Sequence, residues 1–482
     1  MTSRQPKTIV TLTPMSIESD SRTFKQASAV SRFGYQSVVV EARTSRDLGN
    51  DLTFDLRSAG RSGRPPGSTV SGHADSPSPS APNLGTGSAP GTKALRRPRR
   101  KGLTLNPAAL ERAWWCFKDV TRRVLRPLPE PIKKPLRRCL PTLRRIERYI
   151  SRPLRRIRES ILFARHVSGF FGLYLVRTMR CTPRASLYYL HAFYQFPAVY
   201  CLCRRYGARY IYDAHDFYAQ LDADTDASSF WRQWVVPFEQ RIEQACMRRA
   251  AAVVTVNDGI ARLIEARFHR RPLVLRNVHD ERLDREPAQT LRERLSLTTE
   301  DFLIVSVGNA KAGMAVEPVF TALGRLTRRV HLAFVGADYE RQMEMVRSRD
   351  LATRVHFVPP VKPNEIVPFI RTADAAIILY YARSVDYQFA LPNRFFQPIA
   401  AGLPILFPDL PEIRRLAEAH GLGLLIDPES AQSIFEAIIS LMSDGDTLAQ
   451  LKHNIKVARD RLTYQLEEGV LQNLLREMVG PP

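Results

Sequence analysis

The sequence has few cysteines and none of the cysteine patterns that hold a metal or a redox centre. Six occur in 482 residues, and no two form a Cys-x-x-Cys pair. They are Cys116, Cys139, Cys181, Cys201, Cys203 and Cys246. Scattered, unpaired cysteines are typical of buried thiols in a reducing compartment. The pattern therefore argues against a zinc module and against a disulfide-bonded domain.

The sequence also lacks a long, uninterrupted apolar segment. A membrane-spanning helix needs about 20 consecutive, mostly apolar residues. The nearest stretch, ILFARHVSGFFGLYLVRTM, is interrupted by Arg165, His166 and Arg177. The first residues, MTSRQPKTIVTLTP, have no apolar core of the kind that a signal peptide carries. We therefore expect a cytoplasmic protein without a spanning helix.

Several signatures of phosphate, acyl and metal chemistry are missing as well. The segment TLTPMSIESDSR, which follows the first predicted strand, contains no glycine, so a dinucleotide-binding GxGxxG loop there is excluded. The sequence has no Walker loop and no nucleophile elbow. DADTDASSF begins like a calcium loop, but Ala227 replaces its glycine and Gln233 its closing glutamate. We expect no metal site and no cofactor.

Positive charge, in contrast, is abundant and concentrated. The formal net charge is +23, and lysine and arginine dominate residues 93–160. Apolar residues recur there at helical spacing among the arginines, and they are Leu143, Ile146, Ile150, Leu154, Ile157 and Ile161. This pattern predicts an amphipathic helix, kinked at Pro153, on an anionic membrane surface. A solvated arm is the alternative. We do not expect nucleic-acid binding, because no nucleic-acid module accompanies the charge.

Apolar runs and helical patterns alternate in two parts of the chain, residues 7–45 with 184–280, and residues 301–455. Continuous apolar runs such as DFLIVSVGN and VHLAFVG are typical of parallel strands that are covered on both faces. We predict an α/β protein with two doubly wound, Rossmann-like domains. The predicted segments are an N-terminal domain at 1–57 and 184–280, a disordered linker at 58–92, a basic insert at 93–183, a C-terminal domain at 281–455 and a C-terminal helical segment at 456–482.

Polar residues follow several predicted strands, where ligands of parallel sheets bind. His215 and Asp216 follow one strand in DAHDFY, and Gly308, Asn309 and Lys311 follow another in SVGNAKAG. A lysine in such a loop is typical of a phosphate site, but it is equally typical of solvated loops. A lone histidine is more often structural than catalytic.

The segment LPNRFFQPIAAG predicts a helix that begins near Asn393 and Arg394 and carries Gln397 one turn later. Polar groups at such a helix N-terminus serve either as plain caps or as phosphate ligands.

Taken in order, YDAHDFY, VSVGNAKAG, LPNRFFQPIAAGLPILFPDLPEIRRL and GLGLLIDPES resemble the family 4 glycosyltransferases of GT-B fold. The resemblance covers the first 45 residues and nearly everything after 184. It implies two Rossmann-like domains that face each other across a cleft. It also implies a nucleotide-sugar donor on the C-terminal domain, a glycan or lipid-linked acceptor on the N-terminal domain, retention of configuration and no metal.

The resemblance also implies roles for individual residues. His215, Lys311 and Arg394 would be catalytic, and Arg22 and Asp216 would lie on the acceptor side. The donor would contact Gly308, Asn309, Lys311, Asn393, Arg394 and Gln397. The last helix, at about 456–479, would return to the N-terminal domain.

One feature departs from the family pattern. The family usually carries two glutamates separated by seven residues, and their places here hold Phe389 and Gln397. The amide oxygen of Gln397 still accepts a hydrogen bond, whereas the Phe389 side chain accepts none. Two hypotheses follow: a glycosyltransferase on the inner face of a membrane, or a catalytically weak or inactive GT-B protein that binds a nucleotide sugar or serves as a scaffold. A donor-hydrolysis assay discriminates between them.

Overall fold

The computed structural model describes residues 6–45, 52–60, 156–217, 230–311, 314–382 and 385–482. By its internal contacts the chain divides into two compact units, residues 1–69 with 169–482, and residues 70–168. Most of the predicted linker and the predicted insert up to residue 155, including Pro153, lie outside the described residues. So does nearly all of the calcium-like acidic segment.

The larger unit contains thirteen strands in its described part, numbered here in chain order. They are β1 Thr8–Thr13, β2 Gln36–Glu41, β3 Asp55–Ser58, β4 Leu187–His191, β5 Arg209–Ala214, β6 Ala252–Thr255, β7 Leu273–Val274, β8 Phe302–Val307, β9 Val330–Val335, β10 Val355–Val358, β11 Ala375–Ile377, β12 Ile405–Pro408 and β13 Gly423–Ile426.

Helices occupy most of the intervals between these strands. The α-helices are Ser21–Arg32, Thr178–Cys181, Phe196–Tyr206, Val236–Arg249, Asp258–Phe268, Leu291–Arg294, Val316–Arg325, Glu340–Arg347, Ile366–Ile370, Val385–Gln388, Asn393–Ala400, Pro411–His420, Ala431–Ser443, Gly445–Arg459 and Tyr464–Val479. Short 3-10 helices span Ile17–Ser19 and Glu281–Leu283, and π-helical segments span Phe171–Arg177 and Trp231–Val235. Residues 156–170 are also helical.

The strands form two all-parallel sheets. The order is β3-β2-β1-β4-β5-β6-β7 in the first and β10-β9-β8-β11-β12-β13 in the second. Buried strands such as β4 and β9 have no exposed residue, because helices cover both faces. We call the parts built on these sheets the N-terminal and C-terminal domains. The predicted α/β class and the two Rossmann-like domains are thereby confirmed.

The structure differs from the predicted strands at two places. β3 extends the first sheet within a stretch that the family resemblance did not cover, and its last residue, Ser58, stands where the linker was predicted to begin. β13 completes the second sheet in GLGLLID. Both are short strands at a sheet edge, so their apolar runs are short and less regular than those of the central strands.

The C-terminal helix Tyr464–Val479 packs on the N-terminal domain. Tyr464 and Leu475 belong to one buried cluster with Ile9 and Val30. At its surface, Glu468 accepts a hydrogen bond of 2.6 Å from Arg32. The predicted single helix at about 456–479 is interrupted between Arg459 and Tyr464, where Thr463 caps the second helix. In the described segments no helix combines the length and the apolar character needed to cross a membrane.

Candidate functional site

Gly308 and Arg394 come together at the carboxyl end of β8. Gly308 has φ +103°, a left-handed backbone conformation that favours glycine. A Cβ atom added there would collide with the guanidinium of Arg394. The loop is held from behind by Tyr339, whose hydroxyl donates to the Gly308 carbonyl at 2.6 Å. Glycine is therefore required both by its backbone angle and by the close approach of Arg394.

Arg394 is a buried cation with little compensation. Its residue is 8% exposed. The guanidinium carbon lies 4.5 Å from the centroid of the Tyr380 ring, and Nη2 donates a long bond of 3.4 Å to the Asn309 carbonyl. No carboxylate of the described residues forms an ion pair with Arg394. Since an isolated buried charge is costly, the arrangement is suited to an anionic ligand.

The remaining predicted residues of this loop are accessible. Asn309 is exposed, and its side-chain oxygen accepts from the Ala337 amide at 3.0 Å, which ties the loop after β8 to the loop after β9. Lys311 is exposed. Both lie at the carboxyl edge of the sheet, as predicted, and their donor contacts stay a prediction.

Asn393 makes contacts that the sequence did not predict, and its donor contact stays a prediction. Its Nδ2 donates to Ser21 Oγ at 2.9 Å, and its Oδ1 accepts from Asn277 Nδ2 at 2.5 Å. Both groups of its amide are therefore used to contact the N-terminal domain and the connection between the domains. Direct binding of a donor by this side chain would require those bonds to break.

Gln397 lies one turn further along helix Asn393–Ala400. It is half-buried, and its side chain forms no hydrogen bond to the described residues. The helix opens at Pro392 without a side-chain cap. The Phe395 amide donates to the Pro392 carbonyl, and the amides of Asn393 and Arg394 before it have no partner among the described residues and can bind a ligand. The Gln397 side chain and this helix N-terminus can therefore bind a nucleotide without breaking a hydrogen bond within the described residues.

Phe389 contacts the N-terminal domain. Its ring packs against the buried cluster of that domain, and a Cβ atom on Gly259 would collide with it. Its carbonyl accepts a hydrogen bond of 2.8 Å from Asn257 Nδ2. The position at which the family pattern has a glutamate is thus occupied by an apolar contact between the domains.

In the N-terminal domain, His191, Asp213 and His215 converge at the carboxyl ends of β4 and β5. Their ligand atoms all lie within 4.8 Å of one another. The rings of His191 and His215 are 6.0 Å apart. His215 is half-buried, and Asp216 beside it is half-buried too. The predicted strand-end position of His215 therefore brings it next to two buried polar residues that the sequence prediction did not name.

Arg22 forms a buried, bidentate ion pair with Asp213. Its Nε and Nη2 each donate to the carboxylate at 3.0 Å, and its Nη1 donates to the Leu275 carbonyl at 2.9 Å. Gln26 and Tyr189 donate to the same carboxylate. Arg22 thus orients Asp213 from within the core, and its predicted place on the acceptor side stays a prediction.

These contacts determine the charges in the cluster. Burial would raise the pKa of Asp213, but Arg22, His191 and His215 outweigh it and hold that pKa at about 2. Burial lowers the pKa of His191 to about 4, against the opposing effect of Asp213 and Asp20. At neutral pH the cluster therefore contains an ionised carboxylate, a neutral His191 and the cation of Arg22.

Three side chains of this kind could in principle hold a metal ion. The oxygens of Asp213, however, already accept hydrogen bonds from Arg22, Gln26 and Tyr189. A cation would also lie close to the guanidinium of Arg22. We interpret the cluster as an ion-pair network that supports His215.

A cavity of about 490 Å³ opens at the carboxyl ends of β11, β12 and β13. Tyr380, whose ring faces Arg394, forms part of its wall. Asp409 and Asp427 also line it, and both are exposed. The cavity therefore adjoins the buried arginine and offers carboxylate oxygens.

Sequence reasoning missed His191, Asp213, Tyr339 and Tyr380. A signal was available for His191 and Tyr380, because each stands at or just after the end of an apolar run, as His215 does. No signal pointed to Tyr339, which reaches Gly308 across 31 residues.

In a comparison with known protein families, the C-terminal domain gives a match. Residues 287–458 match the family model described as "Glycosyl transferases group 1". Comparison with curated proteins gave no significant match.

Solved structures match the whole fold. Sucrose-phosphate synthase from Thermosynechococcus elongatus has a TM-score of 0.60 at 12% identity, over 98% of this chain and 99% of that one. Anabaena HepE, in complex with UDP and glucose, has a TM-score of 0.57 at 12% identity, over 98% and 100% of the chains. WaaG, a glycosyltransferase involved in lipopolysaccharide biosynthesis, has 0.55 at 13%, over 98% and 99%. At these identities the likeness shows the fold. The chain thus has the GT-B fold, and its residues 287–458 form a domain of the glycosyl transferases group 1 family.

Proposed function

We propose that this chain transfers a sugar from a nucleotide-sugar donor to a glycan or lipid-linked acceptor. The observation that carries this proposal is Arg394, a buried guanidinium without a carboxylate partner among the described residues, placed beside Gly308. A donor diphosphate would supply the missing negative charge. The transfer would retain configuration and would need neither a metal nor another cofactor.

The surrounding groups support the same assignment. Lys311 and the open N-terminus of helix Asn393–Ala400 would stabilise the charge that develops on the leaving diphosphate. Gln397 would accept a hydrogen bond from the ribose. Asp409 and Asp427 in the adjoining cavity offer acceptors for sugar hydroxyls, which Phe389 does not.

We also propose that the protein works on the inner face of a membrane. Ile157 and Ile161, one helical turn apart, are 58% and 62% exposed, and arginines flank them. An apolar stripe between cations is suited to an anionic lipid surface, where each cation contributes on the order of 1 kcal/mol. The acceptor would then be a membrane-linked saccharide or a polysaccharide at that surface.

A donor-hydrolysis assay tests the enzymatic part. The full chain is incubated with UDP- and GDP-linked sugars, and release of UDP or GDP is measured, because the Anabaena structure was obtained with UDP and glucose. We expect slow release with one donor, and loss of at least 100-fold in Arg394→Ala. Arg371→Ala, which removes an exposed ion pair with Glu286, is the matched control and should keep the activity.

The scaffold alternative makes a different prediction. Phe389 at the family's acidic position favours it, because the apolar ring cannot bind a sugar hydroxyl. A protein that binds UDP or GDP but hydrolyses none of the donors, with or without added acceptor, would support the alternative. Binding of neither nucleotide would overturn the transferase and would leave only a scaffold that binds no nucleotide.

A further inference from the structure

Residues 385–393 contact the N-terminal domain and lead directly into helix Asn393–Ala400. Val385 and Phe389 both pack against the buried cluster of the N-terminal domain. Asn257 caps helix Asp258–Phe268 by accepting from the Ile260 amide at 2.8 Å, and the same side chain donates to the Phe389 carbonyl. One fully buried asparagine thus fixes a helix of one domain and a loop of the other.

Gly259 makes this contact close. It lies in the first turn of helix Asp258–Phe268, and a side chain there would meet the ring of Phe389 and Oε1 of Glu412. Glycine within a helix costs about 0.5–1 kcal/mol relative to alanine. Its presence at this position is explained by the ring that occupies the space.

The next contact lies four residues later. Asn393 bridges Ser21, the first residue of helix Ser21–Arg32, and Asn277 in the connection between the domains. Its neighbour in sequence, Arg394, instead contacts Gly308 and Tyr380 of the C-terminal domain. Two consecutive residues therefore connect the domain contact to the buried guanidinium.

We propose that residues 385–393 act as an inter-domain latch, with Phe389 and Asn393 as positioning residues that hold Arg394 in place. Phe389 would thus stabilise the contact between the domains at the position where the family pattern has a glutamate. The effect of the latch on nucleotide binding rests on the function proposed above. The latch itself is tested independently of it.

Hydrogen exchange of the full chain tests the contact. We expect Phe389→Ala to raise the exchange of amides in Asp258–Phe268 and Asn393–Ala400 at least tenfold, while β1 keeps its protection. Phe389→Leu should restore most of that protection. Phe435→Ala truncates a half-buried phenylalanine of the C-terminal domain and should leave Asp258–Phe268 unchanged. Unchanged exchange in Asp258–Phe268 of Phe389→Ala would overturn the latch.

A double-mutant cycle keeps the test valid if Phe389→Ala is poorly folded. Gly259→Ala alone should raise exchange on both sides of the contact, because its methyl group displaces the ring. Combined with Phe389→Leu or Phe389→Ala, the same change should raise exchange far less, or lower it, because alanine favours the helix. Additive effects of the two substitutions would show that the residues do not interact and would overturn the proposal.

UDP and GDP titrations test the positioning. We expect Phe389→Ala to weaken binding of the recognised nucleotide by roughly tenfold, about 1.4 kcal/mol. In the Arg394→Ala background the same substitution should have no further effect, because the positioned group is gone. Equal weakening in both backgrounds would overturn the positioning role. A wild-type protein that binds neither nucleotide would contradict the proposed function, and the exchange experiment would still decide the latch.

Discussion

Two buried arginines of the C-terminal domain differ in what compensates their charge. Arg354 donates to the carbonyls of Leu323, Leu326 and Thr327, so its guanidinium is satisfied within the protein. Arg394 has one long bond and an aromatic ring. A fully hydrogen-bonded guanidinium, as in Arg354, is typical of a structural arginine. A poorly satisfied guanidinium, as in Arg394, is typical of an arginine that binds a ligand.

Gln397 gives the first prediction at the residue scale. Gln397→Glu should keep or tighten binding of UDP or GDP, since a hydrogen bond to a charged acceptor is worth about 1.5–3 kcal/mol against about 0.5–1.5 for a neutral one. Gln397→Leu should weaken binding up to about tenfold, and Arg394→Ala should weaken it more. Calorimetric titration measures these affinities. Gln450→Leu, at an exposed helix position, is the control. Equal affinity of wild type and Arg394→Ala would place the nucleotide elsewhere.

His191 gives a second prediction, on pH. Burial lowers its pKa to about 4, from 6.5 in an unfolded chain. Below pH 6.5 the unfolded state therefore binds a proton that the native state does not. Stability falls as pH decreases from 6.5 toward 4, by up to about 3 kcal/mol for this one group.

Urea unfolding at pH 7 and pH 5 measures that loss. His191→Gln, which cannot titrate in this range, should lose less stability between the two values than wild type does. His453→Gln, at an exposed position, should lose as much as wild type. A His191→Gln protein with the full pH dependence would show that other groups are responsible.

At the scale of elements, sequence patterns predicted what local chemistry determines. The strands of both domains could be predicted from the sequence because parallel strands covered on both faces need continuous apolar runs. The loop at Gly308 and the helix at Arg394 were visible as polar groups at strand and helix ends. The environment of Asn393 was not visible, because its partners Ser21 and Asn277 lie 372 and 116 residues away along the chain. No local pattern encodes such a contact.

The helical residues 156–168 carry a prediction about membranes. The double variant Ile157→Ser, Ile161→Ser should reduce binding to phosphatidylserine-containing vesicles at least tenfold, since it removes about 2–4 kcal/mol of apolar transfer energy and about 1.4 kcal/mol is tenfold. Both side chains are exposed, so folding should be unaffected. Cosedimentation measures the bound fraction.

Leu466→Ser is the matched control for that experiment, because Leu466 is 57% exposed on the C-terminal helix. It should bind vesicles as wild type does. If the isoleucine variant sediments as completely as wild type, these two side chains do not contact the lipid.

At the scale of the whole molecule, the two charged groups of the C-terminal site would replace a divalent cation. Turnover should persist in excess EDTA, because Lys311, Arg394 and the helix N-terminus would stabilise the diphosphate. The assay is donor hydrolysis before and after dialysis against EDTA.

Loss of activity that manganese or magnesium restores would contradict this view. The variant His191→Gln would then show whether the cluster at His191, Asp213 and His215 holds the ion.

The C-terminal helix Tyr464–Val479 has a consequence for biosynthesis. In the N-terminal sheet β1 pairs with β2 on one side and with β4 on the other, so residues 9–12 lack their second partner until residues 187–190 have been made. The apolar cluster around Ile9 and Val30 is completed by Leu471 and Leu475 of the C-terminal helix, hundreds of residues later. The N-terminal domain is therefore completed only after the C-terminal domain has been made. A nascent chain with such distant pairings folds slowly and exposes apolar surface throughout its synthesis, so we expect chaperones to bind it on the ribosome.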